Sequence, residues 1–232
     1  MTYVFPPAPV SSVPVAGDAG QFPVHRIYCV GRNYEAHARE MGHDPNREPP
    51  FFFLKPADAI VVVPEDAIGE FRYPAQSQDV HHEIELVAAL KSGGVDIDAA
   101  DALNHVFGYA VGLDMTRRDL QGEAKKLGRP WDTGKGFEGS APIGPIHRVE
   151  EIGHPTQGAI WLDIDGKQAQ RGDLRELIWS VAESIAFLSR YFELRAGDLI
   201  FSGTPSGVGP VTRGQLLEGG VEGVGPLKLH VR

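Results

Sequence analysis

The sequence of 232 residues contains a single cysteine, Cys29, so it cannot form an intrachain disulfide. Disulfides are rare in reducing compartments, and the cysteine content therefore favours the cytoplasm. No uninterrupted apolar run comes near the roughly 20 residues that a membrane-spanning helix needs. The proline-rich residues 1–14 carry no Lys or Arg, unlike a secretory signal peptide. We therefore expect a cytoplasmic protein that does not bind to a membrane.

Positive charge is also scarce, because 22 Lys and Arg residues stand against 31 Asp and Glu residues, for a formal net charge of −9. This balance argues against a basic surface for nucleic acid or for anionic lipid. An acidic protein that binds an acidic ligand must do so through local cations or a metal ion. The hydrophobic fraction of 42% is sufficient for one substantial core.

The hydrophobic pattern predicts more strands than helices. Helices are predicted from their apolar periodicity at Tyr34–Met41, Thr116–Leu127 and Leu177–Phe192. Because the strands do not alternate with helices as in βαβ units, the pattern predicts a β-rich α+β fold rather than a Rossmann fold. Residues 1–20, which are rich in proline, are predicted to form an extended arm, and residues 21–232 a single domain. Apolar and β-branched runs predict strands at residues 24–30, Phe51–Leu54, Ile60–Val63, Glu70–Tyr73, His82–Leu90, Val106–Leu113, Trp161–Ile164, Leu199–Ser202 and Leu227–Val231.

Two acidic residues interrupt the predicted strand His82–Leu90. Glu83 and Glu85 alternate with Ile84 and Leu86, so both carboxylates are expected on one face of the strand. Paired carboxylates on a buried strand repel each other and are costly to desolvate, and a divalent cation relieves both problems. The alternative is a half-exposed strand whose polar face meets solvent. Asp114 follows the next long apolar strand, although an aspartate there is also typical of an ordinary turn.

Several blocks of sequence, in this order, make the chain resemble the fumarylacetoacetate hydrolase family, in particular its acylpyruvate hydrolase branch. The resemblance extends from about Ile27 to Val231. The blocks are Gly31-Arg32-Asn33-Tyr34 with His37 and Glu40, Phe53-Leu54-Lys55-Pro56, the stretch from His81 to Leu86, Leu113-Asp114-Met115-Thr116 with Arg118, Asp119 and Gln121, Lys135-Gly136-Phe137, and Gly197-Asp198 with Ser202-Gly203-Thr204-Pro205 and Gly207-Val208-Gly209.

The resemblance implies a fold, a metal and an oligomer. The expected fold is the mixed β-sheet roll of the fumarylacetoacetate hydrolase C-terminal type. The expected metal ligands are Glu83, Glu85 and Asp114, with Mg²⁺ or Mn²⁺ as the ion and Ca²⁺ as an in-vitro substitute. A homodimer is the expected assembly, and the expected reaction is the hydrolysis of a carbon–carbon bond in a 2,4-diketo acid such as fumarylpyruvate, in the breakdown of gentisate.

The remaining site residues also come from the resemblance. His37 and Glu40, three residues apart on the predicted helix, would form a general-base pair that activates water. Lys135 and Gln121 would stabilise the oxyanion at the attacked carbonyl. Substrate carboxylates are expected to bind Arg32, Lys55, Arg118 and Thr204.

Two alternative functions remain open at this point. The same scaffold can support oxaloacetate decarboxylation or the isomerisation of a hydroxy-diene dioate, because both reactions pass through a stabilised enolate. A non-catalytic protein that binds keto acids with a metal is the other alternative.

Overall fold

The computed structural model describes residues 2–35 and 48–232, which form eighteen strands and four complete α-helices. The strands are β1 (Ser12–Pro14), β2 (Gln21–Pro23), β3 (Arg26–Gly31), β4 (Phe51–Lys55), β5 (Ile60–Val62), β6 (Gly69–Phe71), β7 (Val80–His82), β8 (Ile84–Leu90), β9 (Val106–Leu113), β10 (Thr116–Arg117), β11 (Ala141–Ile143), β12 (His147–Arg148), β13 (Ala159–Ile164), β14 (Lys167–Asp173), β15 (Asp198–Phe201), β16 (Gly209–Pro210), β17 (Leu216–Val221) and β18 (Gly225–Val231). The helices are α1 (Arg118–Lys126), α2 (Asp132–Lys135), α3 (Val149–Ile152) and α4 (Val181–Ser189).

An eight-stranded mixed sheet forms the centre of the fold. Its strand order is β4-β3-β15-β8-β9-β11-β5, and β12 pairs with β9. The β15–β3 and β11–β5 pairs are parallel, whereas β8 is antiparallel to both of its neighbours. A five-stranded sheet of order β14-β13-β17-β18-β6 packs against it, and β10-β7-β16 forms a small third sheet. This β-rich mixed-sheet architecture confirms the predicted fold class.

Strand β8 is buried on both of its faces, since all seven of its residues are inaccessible to solvent. Ile84 and Leu86 pack in the core between the two large sheets. Val87, from the opposite face, packs in a second core with Val13 and Phe22 of the N-terminal segment. This two-sided burial explains the nearly continuous apolar run in the sequence. It also excludes the half-exposed strand that the sequence left open.

The N-terminal segment contributes to the second core through a short hairpin. Strands β1 and β2 pair antiparallel, and Val13 on β1 is fully buried. The residues before the hairpin are exposed, with Val4 completely accessible and Phe5 76% accessible. The predicted division of the chain after residue 20 stays a prediction.

The predicted strands all occur, with ends that shift by no more than two residues, but two of the predicted helices begin later than expected. Residues 116–117 form β10 because they pair with β7, so α1 starts only at Arg118. Helix α4 starts at Val181 because Ser180 and Glu183 form a capping box there. The helix predicted at Tyr34–Met41 falls almost entirely outside the described residues.

At nine residues each, the two longest described helices are too short to cross a bilayer.

Candidate active site

The pairing of β8 with β9 brings three acidic residues to one point. Glu83 and Glu85 flank the first residue of β8, and Asp114 directly follows β9. The antiparallel register pairs Ile84 with Leu113, so the start of one strand lies beside the end of the other. The Asp114 N–H donates to the Glu83 carbonyl at 2.9 Å and continues this pairing.

The three carboxylates form a compact and buried cluster. Oxygen atoms of Glu83, Glu85 and Asp114 all lie within 4.8 Å of one another. Burial raises the pKa of Glu85 well above its usual range, and repulsion by Asp114 and Glu83 raises it further, against a hydrogen bond of 2.7 Å from the Gly203 N–H. Buried acids in such proximity require compensating positive charge.

Lys135 supplies part of this charge from the end of α2. Its Nζ lies 2.6 Å from Asp114 Oδ2, 2.8 Å from Glu83 Oε2 and 2.7 Å from Thr116 Oγ1, which uses all three of its donors. Desolvation lowers the pKa of Lys135, but Asp114 and Glu83 outweigh it, so the pKa lies above the ordinary lysine value. Lys135 is the last residue of the helical turn α2, which points the ammonium into the cluster.

Two further cations complete the neutralisation. Lys55, the last residue of β4, places Nζ 2.8 Å from Asp114 Oδ1 and donates to the carbonyl oxygens of Met115 and Lys135. Arg118 donates to Glu83 Oε1 at 2.5 Å and to Gln121 Oε1 at 2.7 Å. The three buried carboxylates are therefore matched by three cations.

A cleft that is open to solvent lies above the cluster. Of the sequence-predicted residues, Lys55 does not line the cleft and instead contacts Asp114, while His37 and Glu40 lie outside the described residues. The other eight line the cleft: Arg32, Glu83, Glu85, Asp114, Arg118, Gln121, Lys135 and Thr204.

The loop after β15 forms one wall of this cleft. Gly203 adopts φ +99°, and a Cβ there would lie 2.7 Å from Asn33 Cβ, so only glycine fits. The Thr204 hydroxyl donates to the Ile84 carbonyl at 2.7 Å and accepts from Gln170 Nε2 at 2.8 Å. Because the hydroxyl proton is used within the protein, the Thr204 backbone N–H is the donor left for a ligand; among the described residues it has no acceptor.

Gln170 is a site-supporting residue that sequence analysis missed. It is fully buried on β14, in the five-stranded sheet, and its Oε1 accepts from the Ile84 N–H at 3.1 Å and from His82 Nδ1 at 2.8 Å. Its Nε2 donates to Thr204 and, at 2.9 Å, to the Pro205 carbonyl. The polar stretch around it, Lys-Gln-Ala-Gln-Arg, gives no local signal that separates Gln170 from the exposed Gln168.

Comparison with known proteins identifies the family of this chain. The fumarylacetoacetate (FAA) hydrolase C-terminal family model matches residues 26–232. The chain belongs to the fumarylacetoacetate hydrolase family. The crystal structure of fumarylpyruvate hydrolase from Pseudomonas aeruginosa, in complex with Mn²⁺ and pyruvate, is 55% identical and superposes with a TM-score of 0.98 over 99% of both chains.

Two curated members of the fumarylacetoacetate hydrolase family are more distant in sequence. A mitochondrial oxaloacetate decarboxylase of Dictyostelium discoideum is 39% identical over 86% of this chain and 89% of its own length. A mitochondrial oxaloacetate tautomerase of Mus musculus is 39% identical over 89% of this chain and 91% of its own length. Both matches therefore span most of this chain and most of each relative.

The acidic cluster fits the divalent cation that the family implies. Three carboxylates with oxygens within 4.8 Å are the hard donors that Mg²⁺ and Mn²⁺ prefer, and Ca²⁺ shares this preference. Burial and, after it, repulsion by Asp114 and Glu83 raise the pKa of Glu85, and a divalent ion would relieve the repulsion. Glu83, Glu85 and Asp114 are thus the residues that would hold the ion.

Replacing Glu85 with Gln tests this assignment through stability. Without metal, the neutral amide removes a disfavoured buried charge, so we expect the melting temperature to rise by about 2–4 °C, as for about 1 kcal/mol in a chain of this size. With excess Mn²⁺ the wild type should gain more stability than the variant, because ligand binding stabilises the folded state. Thermal melts in EDTA and in Mn²⁺ measure both effects, with the exposed Glu65→Gln as control. Equal Mn²⁺-dependent shifts in wild type and Glu85→Gln would exclude Glu85 as a ligand.

Replacing Gln170 with Leu tests its role between the two sheets. The change leaves buried groups of Ile84, Thr204 and Pro205 without their partner, so the free energy of unfolding should fall by about 2–4 kcal/mol. Urea denaturation of Gln170→Leu and of the matched control Gln168→Leu, exposed on the same strand, measures the difference. Equal stabilities of the two variants would contradict the assigned role.

Proposed function

We propose that this protein is a metal-dependent acylpyruvate hydrolase that cleaves fumarylpyruvate to fumarate and pyruvate. The buried cluster of Glu83, Glu85 and Asp114, with its surrounding cations, is the observation that carries the proposal. The similarity to the fumarylpyruvate hydrolase of Pseudomonas aeruginosa, over 99% of both chains, supports it.

The cluster and its cations suit a substrate with a 2-keto acid at one end. A divalent ion held by the three carboxylates would supply Lewis acidity toward this end of the substrate. The cations Lys55, Lys135 and Arg118 already balance the carboxylates, so the loaded site would carry net positive charge. Such a site attracts an anion even though the whole chain is acidic.

The Thr204 hydroxyl proton is already used within the protein, so the Thr204 backbone N–H would be the group that donates to a substrate carboxylate. Arg32 lines the same cleft as a second carboxylate ligand. Arg118 and Lys55 carry the same proposed role more weakly, because both already contact protein carboxylates. Their contribution to substrate binding is mainly through charge.

Gln121 and Lys135 are proposed to stabilise the oxyanion that forms at the attacked carbonyl. Arg118 donates to Gln121 Oε1, which leaves the Gln121 NH₂ group to donate to the substrate. Lys135 must exchange one of its three protein acceptors for the oxyanion. The Gln121 amide, held by Arg118 before the reaction, would stabilise the developing charge without reorganisation of solvent.

His37 and Glu40 are proposed to form the general base. Both lie outside the described residues, and the proposal rests on their spacing of three and on the family resemblance. His37, oriented by Glu40, takes a proton from water, and the resulting hydroxide attacks the C4 carbonyl. The bond between C3 and C4 then breaks, fumarate is released, and the pyruvate enolate takes up a proton at C3.

We also propose a cytoplasmic homodimer that uses Mg²⁺ or Mn²⁺ in the catabolism of aromatic compounds through gentisate. The single cysteine favours a reducing compartment. The exposed side chains of Tyr3, Val4 and Phe5 offer apolar surface to a partner subunit.

Oxaloacetate decarboxylation is the second candidate, favoured by the similarity to the oxaloacetate decarboxylase of Dictyostelium discoideum. It needs the same keto-acid site but no attacking water. Isomerisation of a hydroxy-diene dioate and non-catalytic binding of keto acids are further alternatives that the same cluster would serve.

Incubation of the protein with fumarylpyruvate separates these functions. We expect rapid loss of substrate absorbance with Mg²⁺ or Mn²⁺, equimolar release of pyruvate, and no reaction in EDTA. Stable fumarylpyruvate together with CO₂ release from oxaloacetate would replace the hydrolase by the decarboxylase. Thermal stabilisation by oxalate, with turnover of neither substrate, would favour the binding protein.

Replacing His37 with Ala should lower kcat by roughly 10²–10⁴, the usual range for loss of a general base. Initial-rate assays with fumarylpyruvate measure kcat. The control is His43→Ala, six residues further along the sequence. The Mn²⁺-dependent rise in melting temperature should persist in His37→Ala, because the metal cluster is untouched. An unchanged kcat would remove the His37–Glu40 pair from the mechanism.

A further inference from the structure

Two cations in the cleft lie on a pair of aromatic rings. The Arg32 guanidinium lies 5.1 Å from the centre of the Phe51 ring, and Lys125 Nζ lies 4.9 Å from the centre of the Trp131 ring. The two rings meet edge to face, with centres 5.4 Å apart and planes at 89°. All four residues line the cleft, and we call them the rim site.

The backbone around the rim site is adapted to this arrangement. Arg32 adopts φ +56°, a left-handed conformation that is uncommon for a residue other than glycine. At the preceding Gly31, a Cβ would lie 2.1 Å from the tip of the Phe51 ring, so any side chain there would displace the ring. Non-glycine residues in this conformation concentrate at functional sites.

The charge of the rim site is not balanced within the described protein. Lys55, Lys135 and Arg118 each contact a carboxylate of the cluster. In residues 2–35 and 48–232, by contrast, neither Arg32 nor Lys125 has a carboxylate within 4.0 Å. Partial desolvation lowers the pKa of Lys125, and the positive charges of Arg118 and Arg32 lower it further. Like charges brought together in this way favour the binding of an anion.

The location of the rim site indicates which part of a ligand it would contact. The carboxylate cluster, with the Thr204 N–H, accounts for the keto-acid end of the substrate in the proposed function. The rim site belongs to the same cleft but to different elements, β4, the turn after β3, and the region from α1 to Trp131. It therefore remains for the acyl end.

We propose that Arg32 and Lys125 form an anion site for the distal carboxylate of a dicarboxylic acylpyruvate, which makes Lys125 a specificity-determining residue. The inference rests on the proposed function and assigns its substrate class. Phe51 and Trp131 provide flat surfaces beside an unsaturated acyl chain, and the two cations bind its terminal carboxylate. A monocarboxylic acylpyruvate would use the cluster but leave the rim site unpaired.

Replacing Lys125 with Met keeps most of the length of the side chain on Trp131 and removes the charge. For fumarylpyruvate we expect kcat/KM to fall by roughly 10- to 100-fold, mainly through KM, the range for losing a hydrogen bond to a charged group. For acetylpyruvate, which has no distal carboxylate, we expect a change of less than about 3-fold, since nothing at the rim site binds it. Lys125→Arg should restore most of the selectivity, and Lys126→Met, on the exposed next residue of α1, should leave it unchanged.

An equal loss on both substrates, or no loss on either, would overturn the role of Lys125. If the wild type turns over neither substrate, the proposed function fails, and calorimetric titration with fumarate then tests the rim site alone. Weaker fumarate binding by Lys125→Met than by Lys126→Met would uphold the anion site. Equal affinities, or no binding to the wild type, would reject it.

Discussion

The structure depends on holding three carboxylates together inside the protein. Glu83, Glu85 and Asp114 meet because β8 and β9 pair in one register, and a slip of one residue would turn the glutamates to the opposite face of the sheet. The cluster is tolerated because Lys135 and its two neighbouring cations reach it from other elements. The burial of β8 on both faces, the position of α2 and the end of β4 all serve this neutralisation.

The same balance explains how a chain of net charge −9 can receive an anionic substrate. Overall charge describes long-range behaviour, whereas binding depends on the few groups that face the ligand. Cations that neutralise protein carboxylates, such as Lys55, are distinct from those without an acidic partner in the described structure, such as Lys125. Net charge alone cannot show this distinction.

Much of the fold could be predicted from local sequence patterns, whereas most of the cleft residues were predicted from the resemblance to the fumarylacetoacetate hydrolase family. The alternation of Glu83 and Glu85 with Ile84 and Leu86 predicted both carboxylates on one face of a strand, but it left open whether that face is buried. Gln170 could not be found in this way, since its importance comes from the packing of one sheet on another. Lys125 could not be predicted as a site residue for a similar reason. A lysine on a polar helix has no local sequence feature that indicates the proximity of Arg32 and Trp131. The late starts of α1 and α4 depend on strand pairing and capping that periodicity does not show.

The amide of Gln170 links β14 of one sheet to β7, β8 and the loop after β15. Any sliding of the two sheets would break these bonds and disturb the carboxylates at once. The position of the carboxylate cluster consequently depends on the packing of the hydrophobic core. Few substitutions in the cluster are therefore compatible with folding. Within residues 2–35 and 48–232, neither Phe51 nor Trp131 makes a side-chain hydrogen bond to the five-stranded sheet. New substrate preferences within this scaffold are therefore expected to evolve at the rim site, while the carboxylate cluster is retained.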